Sequence, residues 1–325
     1  MIAPMRPEDQ TQDIPSRPAG AADAGSRAAG QDTALATLYE QPYLVSEPLR
    51  QSVPFIFASP HSGRLYPADF VAKSQLNPIA LRRSEDAFVD QLFSVAADLG
   101  APLITARFPR AFLDANRAPA ELDIAMFDGA LPMAVDTPSP RVSAGLGVIP
   151  RIVRDGAEIY RNKLSPDEAE KRLSRLHRPY HAALLKLVEE TYARFGVAVV
   201  VDCHSMPSAA AVPDIVLGDR YGLAAAAALT HHAQQAFELR AFTVARNVPY
   251  AGGFTTQLYG RPAQGVHSLQ IEINRSLYLE EECVEPGPRF DDVRARISEA
   301  LAHLTALEPG ALRAPRSRPL PWAAE

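Results

Sequence analysis

Two histidines follow apolar runs that have the composition of buried strands. His61 comes after Phe55-Ile56-Phe57-Ala58, and His204 after Val197–Val201 with Asp202-Cys203 between. In open α/β sheets ligands bind beyond the carboxyl ends of the strands, so both imidazoles are expected on one rim. Neutral imidazole is a common metal ligand, and a catalytic zinc takes three N or O side chains while keeping one position for water. The third donor is expected after His61, where Glu85 and Asp86 stand at the start of a predicted helix. Either could reach, although first-turn acids also favour a helix through its dipole alone. Asp202 is either a partner that fixes the tautomer of His204 or an ordinary strand-end aspartate.

Glu272 lies in Leu269-Gln270-Ile271-Glu272-Ile273, where the alternation puts it opposite Ile271 and Ile273. A carboxylate on a strand composed to be buried must be paired or functional. It is therefore a candidate general base, or else the partner of Arg275 or Arg261. Cys203 adjoins His204 and suggests a thiol nucleophile, but strand neighbours point to opposite faces, which argues against a Cys-His pair. His177 and His181 share a helix face without the Glu of an HExxH signature, His231 and His232 are expected at the surface, and His267 opens the Glu272 strand. None of these is assigned to a metal.

Strand-like and helix-like patterns alternate around these residues. Runs at 55–58, 103–106, 197–201 and 268–273 read as strands. Helices are expected from Ser84 to Leu99, from Ser165 toward Phe195 with a kink at Pro179, and over 222–238 and 290–307. This order predicts an α/β fold with a mixed, largely parallel central sheet flanked by helices. Residues 1–36 are poor in large apolar side chains and read as a disordered tail, and 309–325 as a Pro/Arg-rich C-terminal tail, leaving a single domain over 37–308. Within it, 118–150 is rich in Pro and Gly and is expected to form a lid-like insertion over a site.

Composition excludes other classes. With 33 Lys+Arg against 38 Asp+Glu and a net charge of -5, the chain lacks the basic field of a nucleic-acid binder. No apolar stretch is long enough for a membrane span, and the N-terminus does not read as a secretory signal. Two cysteines make no disulfide framework, so a cytoplasmic location is expected.

The segments PHSG at 60–63, RRSEDAFVDQLF at 82–93, NR at 116–117, IYRNKL at 159–164, RPYHAAL at 178–184, VDCHSMPS at 201–208, GGFTTQLYG at 252–260 and LQIEINRSLY at 269–278 occur in order. Together they resemble the N-formylglutamate amidohydrolase family, over about 52–282. The resemblance implies a zinc carboxypeptidase-like fold and a hydrolase that releases formate from N-formyl-L-glutamate, late in histidine breakdown. It implies one Zn²⁺, or another divalent metal, held by His61, Asp86 and His204, with Glu272 as general base. Asp86 rather than Glu85 is favoured by alignment on Leu92-Phe93, although SEDAF departs from the commoner pattern. For a small dicarboxylate substrate, Asn116 and Arg117 resemble a carboxylate-holding pair, with Arg161 and Arg151 as further cations. Gly253 and Tyr259 are expected to shape the pocket wall. The same machinery acting on another N-acyl amino acid, or a non-catalytic module for acidic ligands, are the rival functions; oligomeric state is left open.

Overall fold

In the computed structural model, residues 32–135, 139–153, 156–209 and 212–313 are described. Seven strands form one sheet in the order β1-β3-β2-β4-β7-β5-β6. They are β1 (Tyr43–Ser46), β2 (Phe55–Ser59), β3 (Leu103–Ala106), β4 (Ala198–Met206), β5 (Ile215–Gly218), β6 (Val244–Arg246) and β7 (Val266–Asn274). The central strands β3, β2, β4 and β7 run parallel, while β1 and the β5-β6 pair enter antiparallel to their neighbours. The sheet is thus mixed and largely parallel, with helices on both faces, in agreement with the fold expected from the sequence.

Side-chain alternation sorts the central strands into two cores. Phe55, Phe57, Val199, Val201, Cys203, Leu269, Ile271 and Ile273 pack against the helices Ala227–Glu238 and Phe290–Thr305. Ile56, Ala58, Ala198 and Val200 face the other way, toward the helix Arg178–Phe195. Continuing the second set along the strands brings Asp202, His204, Gln270 and Glu272 to one face at the carboxyl end of the sheet. Register makes His204 and Glu272 direct neighbours.

Several elements depart from expectation for identifiable reasons. The predicted 84–99 helix is reduced to a turn at Val89–Leu92 followed by a 3-10 turn at Ser94–Ala96. Two features explain this. Arg275 binds the backbone carbonyls of Arg83 and Glu85, which a helix would have used, and Phe88 takes a left-handed φ of 62°. Asp86 accordingly sits in the loop before the helix, where its N–H donates to His61 O at 3.0 Å. β4 continues to Met206, so His204 lies within the strand rather than after it. Pro179 lacks an N–H, and the long helix widens into a π turn at Leu173–His177 between Pro166–Arg172 and Arg178–Phe195. The helix predicted over 222–238 begins at Ala227.

The domain edges also shift. A helix Thr33–Glu40, capped by Asp32 and anchored by buried Leu38, lies four residues inside the expected tail. At the other end a 3-10 turn Pro309–Leu312 buries Leu312, whose carbonyl accepts from His267 Nε2 at 2.8 Å. The remainder of both expected tails, 1–31 and 314–325, lies outside the described residues. Among the described residues no helix is long and apolar enough to cross a membrane.

The turn that carries His61 is sterically tight. A Cβ on Gly63 would lie 2.1 Å from Phe108 O, so only glycine allows the two backbones to approach. Gly63→Ala is expected to destabilise the protein by about 1–3 kcal/mol, the cost of overpacking. Urea denaturation measures this, and an unchanged midpoint would contradict it.

Candidate functional site

The structure brings His61, Asp86 and His204 together and fixes which of their atoms meet. His61 Nδ1 lies 3.1 Å from Asp86 Oδ2 and 3.1 Å from His204 Nδ1, and His204 Nδ1 lies 2.9 Å from Asp86 Oδ2. Among the described residues this is the one cluster of at least three His, Cys, Asp or Glu side chains that could hold a metal ion. All three are buried, at 1%, 0% and 2% exposure.

The donor set fits a divalent cation. An ion with bonds of about 2.0–2.1 Å at tetrahedral angles sets its ligand atoms roughly 3.3 Å apart, close to the observed triangle. The opposite nitrogens face carboxylates. His61 Nε2 donates to Asp114 Oδ1 at 2.7 Å, and His204 Nε2 lies 2.9 Å from Asp202 Oδ1. At His61 this partner fixes the tautomer that leaves Nδ1 as the metal-facing atom, while His204 Nε2 also lies 2.9 Å from Asn116 Nδ2. Glu85, the alternative acid, instead accepts from Tyr66 Oη and pairs with Arg82.

Each carboxylate is itself anchored. Asp86 Oδ1 receives Arg275 Nη2 at 2.9 Å, which leaves Oδ2 for the cluster. Asp114 Oδ1 also accepts Asn116 N–H, and Asp114 Oδ2 accepts Arg110 Nε at 3.1 Å. Burial alone would raise both acids. Hydrogen bonds from His204 and His61 more than offset this at Asp86, and the charges of His61, Arg110 and Arg117 do so at Asp114, so both stay well below the usual carboxylate range.

Glu272, 7% exposed, lies beside His204 and accepts from Gln270 Nε2 at 2.9 Å. Its expected competitor Arg275 is committed to Asp86 and Ser205. Burial pushes Glu272 up to about 7, aided by Asp86 and Asp202 and opposed by His204 and Arg110. A carboxylate poised there can take and return a proton near neutral pH. Cys203 lies in the opposite core with its thiol raised by burial and its Sγ directed to Val201 O, which separates it from His204 chemistry.

The cluster opens into a cavity of about 490 Å³ whose walls include Asn116, Arg117, Gly253 and Glu272. Asn116 bridges its wall: Nδ2 donates to Asp202 Oδ2 and Oδ1 accepts Thr255 N–H. Gly253 is required there, because a Cβ would fall 2.5 Å from Asn116 Nδ2. Arg117 donates to Leu146 O and Asn116 O. Arg141, Leu146 and Pro150, from the 118–150 segment, also line the cavity.

Three expected site residues do not line it. Arg151 pairs with Asp123 and Glu158, and Arg161 Nε donates to Ser74 O, so both are engaged within the protein. Tyr259 lies beneath the wall, its Oη 3.0 Å from His181 Nδ1. His181 Nε2 in turn donates to Ala115 O, and His177 Nε2 to Arg117 O, so two buried histidines clamp the backbone on either side of Asn116. Burial first, then His177, drives His181 down to about 3, which keeps it neutral. His232, expected at the surface, is partly covered and bonds His303 O.

Sequence reasoning missed Arg110 and Asp114, and placed Arg275 beside Glu272 rather than on Asp86. Asp114-Ala115-Asn116 did carry a local signal, since an Asp accepting the N–H two residues on forms an Asx turn.

A family model described as N-formylglutamate amidohydrolase matches residues 53–279. A protein described as N-formylglutamate deformylase from Pseudomonas putida is 27% identical over 250 residues, 74% of this chain and 86% of its own. Its counterpart from Pseudomonas aeruginosa is 27% identical over 269 residues, 79% of this chain and 94% of its own. The crystal structure of N-formylglutamate amidohydrolase from Ralstonia eutropha JMP134 matches with a TM-score of 0.77 at 35% identity, covering 83% of this chain and 98% of that one.

The electrostatics of the cluster predict a linked proton. Burial would depress His204, but Asp202, Asp86 and Glu272 override it and hold the imidazole well above its ordinary value in the metal-free protein. A metal needs the neutral ring, so loading is expected to release a proton near pH 7. Calorimetry in buffers of different ionisation enthalpy detects this, and a buffer-independent heat would contradict it. A raised imidazole stabilises the fold fully below its unfolded value, about 6.5, and loses that contribution as pH rises. The metal-free protein should therefore be less stable at pH 8.5 than at pH 6.5 in urea, and the reverse order would contradict the assignment.

Proposed function

The chain belongs to the N-formylglutamate amidohydrolase family, and we propose that it hydrolyses N-formyl-L-glutamate to formate and glutamate in a metal-dependent reaction. The observation that carries this is the convergence of His61 Nδ1, His204 Nδ1 and Asp86 Oδ2 beside Glu272 at the base of a cavity. The names of the relatives supply the substrate.

A zinc ion held by His61, Asp86 and His204 would polarise the formyl carbonyl and acidify a bound water. Glu272 accepts a proton from the attacking water and returns it to the substrate nitrogen as the C–N bond breaks, so no covalent enzyme intermediate is needed. The buried setting that raises this carboxyl suits it to both transfers. Arg110 and Arg275 hold the carboxylates that orient His61 and the cation. Arg117, backed by Asn116, supplies a guanidinium to a substrate carboxylate on the cavity wall. Both cysteines are free thiols, in keeping with a cytoplasmic setting, and the proposed substrate would place the reaction late in histidine breakdown.

The test is formate release from N-formyl-L-glutamate by the purified protein, with and without a chelator. Turnover that zinc restores after chelation is expected, and chelator-insensitive turnover would contradict metal dependence. Glu272→Gln should keep its metal and lose about 10²–10⁴-fold in kcat. Asp86→Asn should lose metal, whereas Glu85→Gln should keep it; the opposite result would move the acidic ligand to Glu85.

A further inference from the structure

Resting on the amidohydrolase function proposed above, we infer that Arg141 binds the side-chain carboxylate of the substrate and thereby selects acidic N-formyl amino acids. The arginines on the cavity wall are Arg83, Arg110, Arg117, Arg141 and Arg275. Two are committed to buried acids, Arg110 to Asp114 and Arg275 to Asp86. Arg117 spends its Nε and Nη1 donors on the carbonyls of Leu146 and Asn116, although its charge still faces the cavity.

Arg141 differs. Its backbone is tightly held: Ser139 Oγ accepts Arg141 N–H, and Arg141 O accepts Leu146 N–H at 2.8 Å. Its guanidinium forms no hydrogen bond or ion pair among the described residues. Two acids of the same segment are already used. Glu121 binds Ala118 N–H and Ser139 Oγ, and Asp123 binds Arg151 and Ala125 N–H. A fixed backbone thus presents a cation without a partner among the described residues, at the rim of a cavity whose other cations are engaged.

The charge suits an anionic ligand with a second carboxylate. Arg117 and Arg141 line the same cavity and their like charges repel, an effect that Asp114 and Glu121 partly offset at Arg117. A dicarboxylate relieves this repulsion by occupying both, one carboxylate on Arg117 and the other on Arg141. Guanidinium binds carboxylate through paired hydrogen bonds, whereas an amide of the same shape presents NH₂ donors toward donors.

The experiment compares N-formyl-L-glutamate with its isostere N-formyl-L-glutamine. Binding is read by calorimetry on zinc-loaded Glu272→Gln protein, where turnover is suppressed, and kcat/KM is read on the otherwise unmodified enzyme. In each setting the acid is expected to be preferred by at least about 30-fold, and Arg141→Gln to reduce that preference to within roughly threefold. Arg141→Lys should restore much of it. A preference that survives Arg141→Gln, or loss by the same factor for both ligands, would overturn the assignment, as would equal binding of the two ligands before substitution. The parent proposal fails separately: if no formate is released but the acid preference still depends on Arg141, the cavity is an acidic-ligand subsite without deformylase activity.

Discussion

Two imidazole nitrogens and a carboxylate oxygen, buried and packed about 3 Å apart, cannot all keep their lone pairs directed at one point without a positive charge among them. A proton on His204 satisfies this demand in part, and a divalent cation satisfies it fully. Much of the surrounding structure can be understood as the means by which the chain enforces this arrangement against its own electrostatic cost. Asp114 and Asp202 face the far nitrogens of the rings, and Arg275 and Arg110 bind the second oxygens of Asp86 and Asp114.

The fold delivers these groups cheaply because the central strands end on one rim. Alternation along β4 and β7 sends hydrophobic residues into one core and Asp202, His204, Gln270 and Glu272 toward the other face, so ligand and base arrive on adjacent strands in fixed register. Less regular segments complete the set. The loop at 83–88 gives up helical hydrogen bonds to Arg275, and in return Asp86 is positioned both by its side chain and by its backbone contact to His61. His177 and His181 play the corresponding part below the cavity wall, where they hold the backbone around Asn116.

Strand composition and strand-end position were enough to nominate His61, His204 and Glu272, because those signals are local and the sheet converts them directly into geometry. The resemblance then implied Asp86 over Glu85, and the structure does bring Asp86 into the cluster. The secondary structure around Asp86 was not legible. The run from Ser84 to Leu99 has helical spacing, but a guanidinium 189 residues away in sequence claims its carbonyls and its aspartate. The pairing of Arg275 with Asp86 and of Asp114 with His61 was hidden for the same reason, since each joins segments distant in sequence. Arg151 and Arg161 do not line the cavity, because a cation is as readily bound by acids and carbonyls of neighbouring segments as by a ligand.

The most direct test of the account is an anomalous-scattering map recorded at the zinc edge from crystals grown with zinc. The account predicts one strong peak enclosed by His61 Nδ1, His204 Nδ1 and Asp86 Oδ2, with Glu272 alongside. A peak on other residues, or on the Nε2 side of either ring, would contradict it.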